Sequence, residues 1–358
     1  MTQLDELRAK IDKLDRELVE LLNQRAALSI EIGKAKAGNR NVYAPGRESE
    51  ILRRLEAESA GPLPGDALRA IYSEIISSSR ALQAPLTVAF LGPEHNFTHQ
   101  AALAHFGHST RFLPVPSNPD VFEETELGRA DYGIVAIENS TEGAVGATLD
   151  SFVNSELKAC AEVRLDIHQA FMSRVPMDQV KVVYSHPQSL GQCRNWLRTH
   201  LSGVPLVEMA SNVAAVQRAA QEEGSAAIGP EVAAALYGLE VLEPRAEDVA
   251  GNVTRFLVIG RHMAERTGHD RMSLLFSIKD RVGVLRDVLA IFAQAGVNLT
   301  KIESRPIKHR PWDYVFFADL DAHPEDPGMA ETLARLHDLT VFTKVLGAWP
   351  ATEIQNSK

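Results

Sequence analysis

The first 35 residues carry an apolar repeat that restricts the fold more than any other feature of this chain. The spacing of its members is close to a heptad: Leu4, Leu7, Ile11, Leu14, Leu18, Leu21, Leu28, Ile32 and Ala35. Such a spacing predicts one helix over about residues 3–37. That helix would be roughly 50 Å long, too long to pack only on itself. It therefore needs packing partners.

Three cations on this helix suggest an anion site. Arg25 lies in the apolar seam, where an unpaired charge would be costly to bury, so we expect an anion there. Lys36 follows about 20° round the helix and roughly 16 Å along it, so both side chains could close on one small molecule. Arg8 lies roughly 25 Å from Arg25 and could join only from a second subunit. Taken alone, Arg8 would be read as a solvated surface residue.

Two further helical patterns complete this segment. They run from Arg47 to about Ala60 and from Pro64 to about Gln83, with a Gly-Pro-Leu-Pro-Gly breaker between them. Ala84-Pro85 reads as a linker to a different pattern. A length of 358 residues favours two or three domains.

Composition excludes several classes of protein. The formal charge of −10 argues against a nucleic-acid partner, and the first 85 residues are neutral, so the rest carries all of it. Neither a membrane-spanning run nor a signal peptide is recognisable, which predicts a cytoplasmic protein without membrane attachment. Cys160 and Cys193 suggest neither a disulfide framework nor a metal site.

Residues 86 to about 262 show α/β patterning. Strands are expected at Thr87–Leu91, Tyr132–Ile137, Val180–Tyr184 and Arg255–Ile259, and helices at Thr98–Phe106, Gln188–His200, Val213–Gln221 and Pro230–Leu236. Hydroxyl and amide side chains stand where strands or helices meet turns, at 138–141, 185–188 and 211–212. Free backbone N–H groups at helix starts can bind carboxylates. We expect a structural role for His186, which precedes Pro187 in such a turn.

A polar turn before the last strand of this segment combines a hydroxyl and a cation. Gly251-Asn252-Val253-Thr254-Arg255 leads directly into an apolar run. Thr254 could donate a proton while Arg255 holds an anion. The alternative is a strand start whose threonine packs inside and whose arginine faces water.

The last segment, residues 270–350, predicts a βαββαβ unit. The expected strands are Ser273–Lys279, Asn298–Ile302, Tyr314–Asp319 and Thr340–Leu346, and the helices are Leu285–Ala295 and Met329–His337. This order is typical of a small ferredoxin-like α+β domain.

The first segment resembles the all-helical chorismate mutase family. The resemblance rests on Leu7-Arg8, Asn23-Gln24-Arg25, Gly33 to Lys36, Arg47-Glu48 and Ser79 to Gln83. It implies a dianionic substrate bound by Arg8 of a second subunit, Arg25 and Arg47, with Glu48 and Ser79 also in contact. It further implies that Lys36 and Gln83 hydrogen-bond the ether oxygen as charge develops.

The middle segment resembles prephenate dehydratase. The matching pieces are Phe90 to Pro93, Gly133 to Ser140, Ser185 to Gln188 with Gln192-Cys193, Leu236 to Leu239 and the Thr-Arg-Phe turn. The resemblance implies two α/β lobes, as in periplasmic-type binding proteins, with Thr254 donating to the leaving hydroxyl. The implied substrate-binding residues are Asn139, Ser140, Ser185, Gln192 and Arg255. His95-Asn96 departs from the family, which usually has Gly followed by Thr or Ser.

The last segment resembles the ACT domains linked to dehydratases. Gly283 stands before the helix, and Glu303-Ser304-Arg305-Pro306 follows the second strand. In that kind of domain these stretches hold free phenylalanine between paired domains. The implied effector residues are Gly283, Val284, Leu285, Glu303, Ser304, Arg305 and Pro306.

These resemblances predict a multidomain enzyme with a mutase domain at 1–85, a dehydratase domain at 86–263 and a regulatory domain at 270–350. It would convert chorismate to prephenate and then to phenylpyruvate, without metal or organic cofactor, under feedback by phenylalanine. We expect at least a homodimer. One alternative is an active mutase fused to a dehydratase domain that is impaired, or prefers arogenate, and acts as a binding module.

Overall fold

The computed structural model describes residues 2–35, 42–279, 281–306 and 314–351. Its N-terminal part consists of α1 (Gln3–Ala35), α2 (Pro45–Glu58) and α3 (Gly65–Gln83). Ser29 is the one buried residue of α1. The leucines and isoleucines of the predicted seam are exposed, and Leu4, Leu18 and Leu28 keep 54–60% of their accessible surface. The long helix is confirmed, and one chain alone leaves its apolar face uncovered.

The middle domain begins with lobe 1, residues 87–166. Its elements are β1 (Thr87–Leu91), α4 (Phe97–Phe106), β2 (Arg111–Val115), α5 (Asn118–Glu126), β3 (Tyr132–Asn139), β4 (Gly143–Ala144), α6 (Gly146–Asn154) and β5 (Lys158–Asp166). β1 pairs in parallel with β2 and β3, as expected where helices connect neighbouring strands. The predicted bounds of β1 are confirmed.

Lobe 2, residues 170–243, has a separate five-stranded sheet. Its elements are β6 (Ala170–Ser173), a 3₁₀ turn (Met177–Gln179), β7 (Val182–Ser185), α7 (Pro187–Gln192), α8 (Arg194–His200), β8 (Leu206–Glu208), α9 (Asn212–Gln221), β9 (Ser225–Gly229), α10 (Val232–Tyr237) and β10 (Glu240–Glu243). The single helix predicted over 188–200 is wrong, because the helical backbone is interrupted at Cys193. The chain then returns to lobe 1 as β11 (Val253–Gly260), antiparallel to both β3 and β5.

The C-terminal domain has the predicted βαββαβ order. It consists of β12 (Asp270–Ile278), α11 (Val284–Gln294), β13 (Leu299–Pro306), β14 (Tyr314–Leu320), α12 (Met329–Leu339) and β15 (Thr340–Pro350). One sheet face packs on the two helices. The other shares a core with lobe 1, in which Leu275, Phe317 and Trp349 join Phe152 and Leu257.

The sheets of lobe 1 and the C-terminal domain are continuous. β15 lies beside β5, with Gly347 opposite Ala159. A Cβ atom at Gly347 would lie 2.0 Å from the carbonyl oxygen of Ala159, so only glycine allows this approach. Lys158 Nζ also donates to the Val345 carbonyl at 2.7 Å. Within the described ranges, no helix combines the length and apolar character that crossing a membrane requires.

Candidate active sites

Adjacent strands of lobe 1 bring together the Thr254 hydroxyl and the Asn139 amide. In the β11–β3 register, Thr254 stands opposite Asn139 and Arg255 opposite Glu138. Asn139 Nδ2 donates to Thr254 Oγ1 and to Asn252 Oδ1, both at 2.8 Å. All three polar side chains of this cluster are buried. Because Thr254 Oγ1 accepts from Asn139, its own proton can point toward a substrate.

Asn139 has the role of a support. Its Oδ1 accepts from the backbone N–H of Thr141 and of Glu142, at 3.0 and 3.2 Å, and from the Thr141 hydroxyl at 2.6 Å. Both protons of its amide are also used, so the side chain orients Thr254 and the turn after β3. Ser140 lies beside this pair and is exposed, and its Oγ accepts from the Val253 N–H at 2.9 Å. Ser140 is thus the more accessible of the two.

Lobe 2 holds the other predicted dehydratase residues. Ser185 is completely buried, and its Oγ donates to the Ile228 carbonyl at 2.9 Å. Asn212 accepts from the Ser185 hydroxyl at 3.2 Å and donates to Ser189 Oγ at 2.9 Å. Asn212, which also accepts from the His186 N–H at 3.1 Å, therefore links Ser185 to the start of α7. His186 caps the same helix by accepting from the Gln188 N–H, which agrees with the structural role expected for it from the sequence.

Gln192 connects the two lobes. Its Nε2 donates to Glu142 Oε1 at 3.2 Å, and its Oε1 accepts from Gln169 Nε2 at 3.0 Å. Sequence reasoning missed Asn252, Glu142 and Gln169 as members of this site. The sequence could have indicated Asn252, because it lies in the same turn as Thr254. No sequence pattern could have indicated Glu142 and Gln169, because their contacts depend on how the two lobes face each other.

Arg255 is a correction. Neighbouring residues of a strand point to opposite faces, so its side chain lies away from the Thr254 hydroxyl. Its guanidinium pairs with Glu138 at 2.8 Å, Glu162 at 3.0 Å and, in the C-terminal domain, Asp319 at 2.9 Å. With three carboxylates around it, Arg255 joins the domains. The structure does not bring it to the cluster of Asn139, Asn252 and Thr254.

Lysine and arginine side chains lower the pKa values of two carboxyl groups at this junction. Burial raises the pKa of Glu162, but Arg255 and Arg164 lower it more, so the net pKa lies below its ordinary value. The pKa of Glu138 is likewise lowered, because its bonds to Lys301 and Arg255 outweigh burial. Both carboxyl groups are therefore ionised at neutral pH.

The mutase segment brings Arg25, Ser79 and Gln83 together. An Arg25 guanidinium nitrogen donates to Ser79 Oγ, and Gln83 follows one turn later on α3. A Cβ at Gly33 would lie 3.2 Å from Gln83, so glycine allows α1 and α3 to approach here. Gln83 Oε1 is buried without a hydrogen-bond partner in the described part of the chain. Such a group is a reason to expect a ligand.

The structure places the other predicted mutase residues in different surroundings. Glu48 on α2 is bound by Arg80 of α3, at 2.8 and 2.9 Å. Arg47 is exposed and pairs with Glu50 at 2.6 Å. Arg8 lies on the exposed first half of α1, away from Arg25. Lys36 lies outside the described residues.

The predicted effector residues face two directions. Gly283 has φ of 81° before α11, and Val284 is buried beneath it, with Leu285 partly buried. Along β13, Glu303 and Arg305 are partly buried, and Ser304 and Pro306 are exposed. Glu303 pairs with Lys301 at 3.4 Å. Arg305 Nη1 lies 3.9 Å from Asp150 of lobe 1.

The His95-Asn96 departure is absorbed locally. His95 has φ of 69°, a conformation that favours glycine, and its N–H donates to His99 Nδ1 at 2.9 Å. Asn96 caps α4, accepting from the His99 N–H at 2.8 Å, and donates to the Leu91 carbonyl at 2.8 Å. Asparagine thus performs the capping that Thr or Ser could perform.

Three family models match the chain in order. They are chorismate mutase type II at residues 7–84, prephenate dehydratase at 88–264 and the ACT domain at 272–338. Among solved structures, the prephenate dehydratase from Arthrobacter aurescens in complex with L-Phe is similar with a TM-score of 0.68 and 32% identity, covering 74% of this chain and 90% of that one.

Two relatives match this chain over nearly its whole length. The bifunctional chorismate mutase/prephenate dehydratase from Aquifex aeolicus is 43% identical over 99% of this chain and 100% of its own length. The one from Stutzerimonas stutzeri is 40% identical over 97% of this chain and 98% of its own length. The chain therefore belongs to the family of bifunctional chorismate mutase/prephenate dehydratases.

Proposed function

We propose that this chain rearranges chorismate to prephenate on its three N-terminal helices and converts prephenate to phenylpyruvate in the middle domain. Free phenylalanine acts as the feedback inhibitor through the C-terminal domain. The observation that carries the dehydratase assignment is the Asn139–Thr254 bond at 2.8 Å, which orients a hydroxyl donor within a polar cluster. The cytoplasmic location stays a prediction.

In the dehydratase step, the ring loses its carboxyl group as carbon dioxide and its hydroxyl group as water. The electron pair of the breaking carbon–carbon bond enters the ring, which becomes aromatic as the carbon–oxygen bond breaks. Thr254 hydrogen-bonds the departing oxygen, which takes up a proton. Because aromatisation favours the products, partial proton transfer from this weak acid suffices in the transition state, and a solvent proton completes the departing water while Thr254 keeps its own. Ser140 and Gln192 hold the substrate, and Asn139 holds Thr254.

In the mutase step, the protein acts by binding and by fixed charge. Arg25 binds a substrate carboxylate beside Ser79, to which its guanidinium already donates. The amide of Gln83 turns toward the ether oxygen, whose negative charge grows as its bond to carbon breaks. Glu48 accepts from the substrate hydroxyl. Lys36 and Arg47, with Arg8 from another subunit, complete the proposed set.

A second copy of this chain covers the exposed face of α1 in our proposal. The uncovered leucines extend along almost the entire helix, and Arg8 lies too far from Arg25 to share a ligand within one chain. An antiparallel α1 from a partner would bury the leucines and supply Arg8. Sedimentation of the purified protein tests this, and a monomer at working concentration would contradict it.

Two substitutions test the separate sites in the full-length protein. Thr254→Val keeps the shape of the side chain and removes the hydroxyl, so phenylpyruvate formation from prephenate should fall by about 10²–10⁴-fold. Arg25→Gln should abolish chorismate turnover. Each variant should retain the other activity. Thr254→Ser and Arg16→Gln are the matched controls, since the serine keeps the hydroxyl and Arg16 is exposed on the same helix.

The reactions are followed by loss of chorismate and by appearance of phenylpyruvate, with and without phenylalanine. Unchanged dehydration by the valine variant would remove Thr254 from the mechanism. If wild-type protein formed no phenylpyruvate above the acid-catalysed background, the alternative of an inactive middle domain would replace this proposal. Equal dehydratase rates with and without phenylalanine would remove the regulatory assignment.

A further inference from the structure

Arg80 is a buried cation at the boundary between the mutase helices and lobe 1. It lies near the end of α3 and is 3% exposed. Its Nη1 lies 2.9 and 2.8 Å from the two carboxylate oxygens of Glu48 on α2. Its Nη2 donates to the Phe106 carbonyl, at the end of α4 in lobe 1, at 2.6 Å. One guanidinium therefore contacts two domains.

Aromatic rings hold the same guanidinium. Its carbon lies 5.5 Å from the ring centre of Tyr43 and 5.6 Å from that of Phe106, within the range of cation–π attraction. Tyr43 belongs to the mutase segment but is buried in the lobe 1 core. Its hydroxyl lies 2.5 Å from His105 Nε2. Lobe 1 thus restricts the orientation of Arg80 on several sides.

Arg80 in turn limits how Glu48 can move. An arginine binds a carboxylate in a preferred plane, and an ionised carboxylate accepts about four hydrogen bonds, so an arginine-bound carboxylate can still accept a hydroxyl proton. The side chain of Glu48 is 17% exposed, against 57% for the neighbouring Arg47. Glu48 is therefore held in one direction by a buried partner, whereas the exposed Arg47 is paired only with Glu50, itself exposed, among the described contacts.

We propose that Arg80 is a positioning residue of the mutase reaction, which fixes the Glu48 carboxylate for the substrate hydroxyl and is itself held by lobe 1. This inference rests on the proposed role of Glu48. It means that the middle domain, through the Phe106 carbonyl and ring, completes the mutase site. Arg80 does not touch the reacting atoms.

A double-mutant cycle on the full-length protein tests this link. Arg80→Gln removes the charge, Glu48→Gln makes the carboxylate neutral, and the double variant leaves two neutral groups facing each other. Arg80→Lys keeps the charge but has no planar fork for both Glu48 and the carbonyl. The matched control is Arg69→Gln, since Arg69 also joins α3 to α2, through Glu56 at 2.7 Å, but is 46% exposed.

We expect Arg80→Gln to lower mutase kcat/KM by about tenfold or more. Because the proposed Glu48 contact to the substrate hydroxyl exists both before and during the reaction, most of this loss should be a rise in KM. In the Glu48→Gln background the same change should have little further effect, since Arg80 acts through Glu48. Dehydration of added prephenate should be unchanged in every variant. Arg80→Lys should restore part of the loss, and Arg69→Gln should behave as wild type.

The outcomes separate the two levels of the proposal. If Glu48→Gln leaves mutase kinetics unchanged, the proposed role of Glu48 is wrong. If Glu48→Gln impairs the mutase but Arg80→Gln does not, the positioning role is overturned and the role of Glu48 remains. Additive losses in the double variant, or equal loss of both activities, would show that Arg80 only supports the fold. Should Arg80→Gln fail to fold, Arg80→Lys and the double variant carry the same comparison.

Discussion

The middle domain is joined to its two neighbours in different ways. On the mutase side, separate side-chain contacts cross the boundary: Arg80 bonds the Phe106 carbonyl, Tyr43 packs in the lobe 1 core, and Glu74 and Ser77 of α3 bond His108 and Ser109. On the regulatory side, a continuous sheet, a shared apolar core and several ion pairs around Arg255 are combined. Among the contacts of the first junction described here, Arg80 is the one that reaches Glu48 of the proposed mutase site. The second spreads them over a surface, which suits transmission of a change in the whole regulatory domain.

The largest effect is expected from Arg255→Ala at the regulatory junction. The change removes one cation from Glu162, whose side chain is 1% exposed and which keeps Arg164, leaves Glu138 with Lys301, and takes the Arg255 cation from Asp319. Breaking a buried ion pair from one side costs about 3–5 kcal/mol. Urea unfolding measures the loss. The control Arg286→Ala, on an 82% exposed side chain, should change stability by less than about 0.5 kcal/mol. Equal effects would mean that the network contributes nothing.

Gly347→Ala tests the sheet connection itself. Its Cβ would overlap the backbone of Ala159, so β15 must move away from β5. Overpacking of this kind costs about 1–3 kcal/mol. Thermal unfolding should register the loss, and phenylalanine should inhibit the variant less. Gly61→Ala is the control, because none of the described residues places an atom within 4 Å of its added Cβ. A stable variant with normal inhibition would show that the two sheets need not be continuous.

A smaller, pH-dependent effect is expected at the mutase junction. Burial, with a contribution from Arg80, lowers the pKa of His105 from 6.5 to about 3. The unfolded chain therefore binds a proton below pH 6.5 that the folded protein does not, and stability falls as the pH decreases from there. The slope is at most about 1.4 kcal/mol per pH unit.

His105→Gln should flatten this dependence between about pH 6.5 and about pH 4.5, measured by urea unfolding. The carboxylates at the regulatory junction do not contribute in that window. Their lowered pKa values mean that they lose stabilising charge only as the pH falls below the ordinary carboxyl range. His262→Gln is the control on an exposed histidine. An unchanged slope in the His105 variant would assign the acid sensitivity elsewhere.

The smallest change in stability is expected for Lys301→Met, which removes the cation between Glu303 and Glu138. A partly exposed pair contributes about 0–1 kcal/mol. Its effect on regulation should be larger, because it connects a proposed effector residue to the strand that carries Asn139. Half-inhibition should require several-fold more phenylalanine at an unchanged basal rate. Lys279→Met, on the same domain, is the control. Unchanged inhibition would exclude this route.

Local patterns predicted the elements that have a strong period or a clear boundary. The heptad seam predicted α1, and the Thr87–Leu91 strand was identified with its correct bounds. The sequence prediction missed β9, because Ser225–Gly229 is wholly buried and small, so it has no alternation. It also missed β5 and the break at Cys193. In each case tertiary packing outweighed the local signal.

Side-chain roles were harder to predict than elements. Thr254 and Arg255 are neighbours in a strand, so alternation alone could have separated their roles. The sequence did not indicate that Arg80 is buried, since an arginine on a helix is ordinarily solvated. Its burial depends on Tyr43 and Phe106. The sequence placed Asn139 in the site but not its task of holding Thr254. Roles of this kind depend on residues that are distant in the chain.

Lobe 2 enters and leaves lobe 1 at almost the same point. The chain leaves lobe 1 at Ile167 and returns to it at Asn252, and the Ile167 N–H donates to the Asn252 carbonyl at 2.7 Å. Asn252 also accepts from Asn139, two residues from Thr254. A rotation of lobe 2 about these two connections would have its axis beside the proposed proton donor. Such a rotation would also disturb the bond between Asn252 and Asn139, which orients the Thr254 hydroxyl, so an effector that turns lobe 2 would need no separate means of disabling the chemistry.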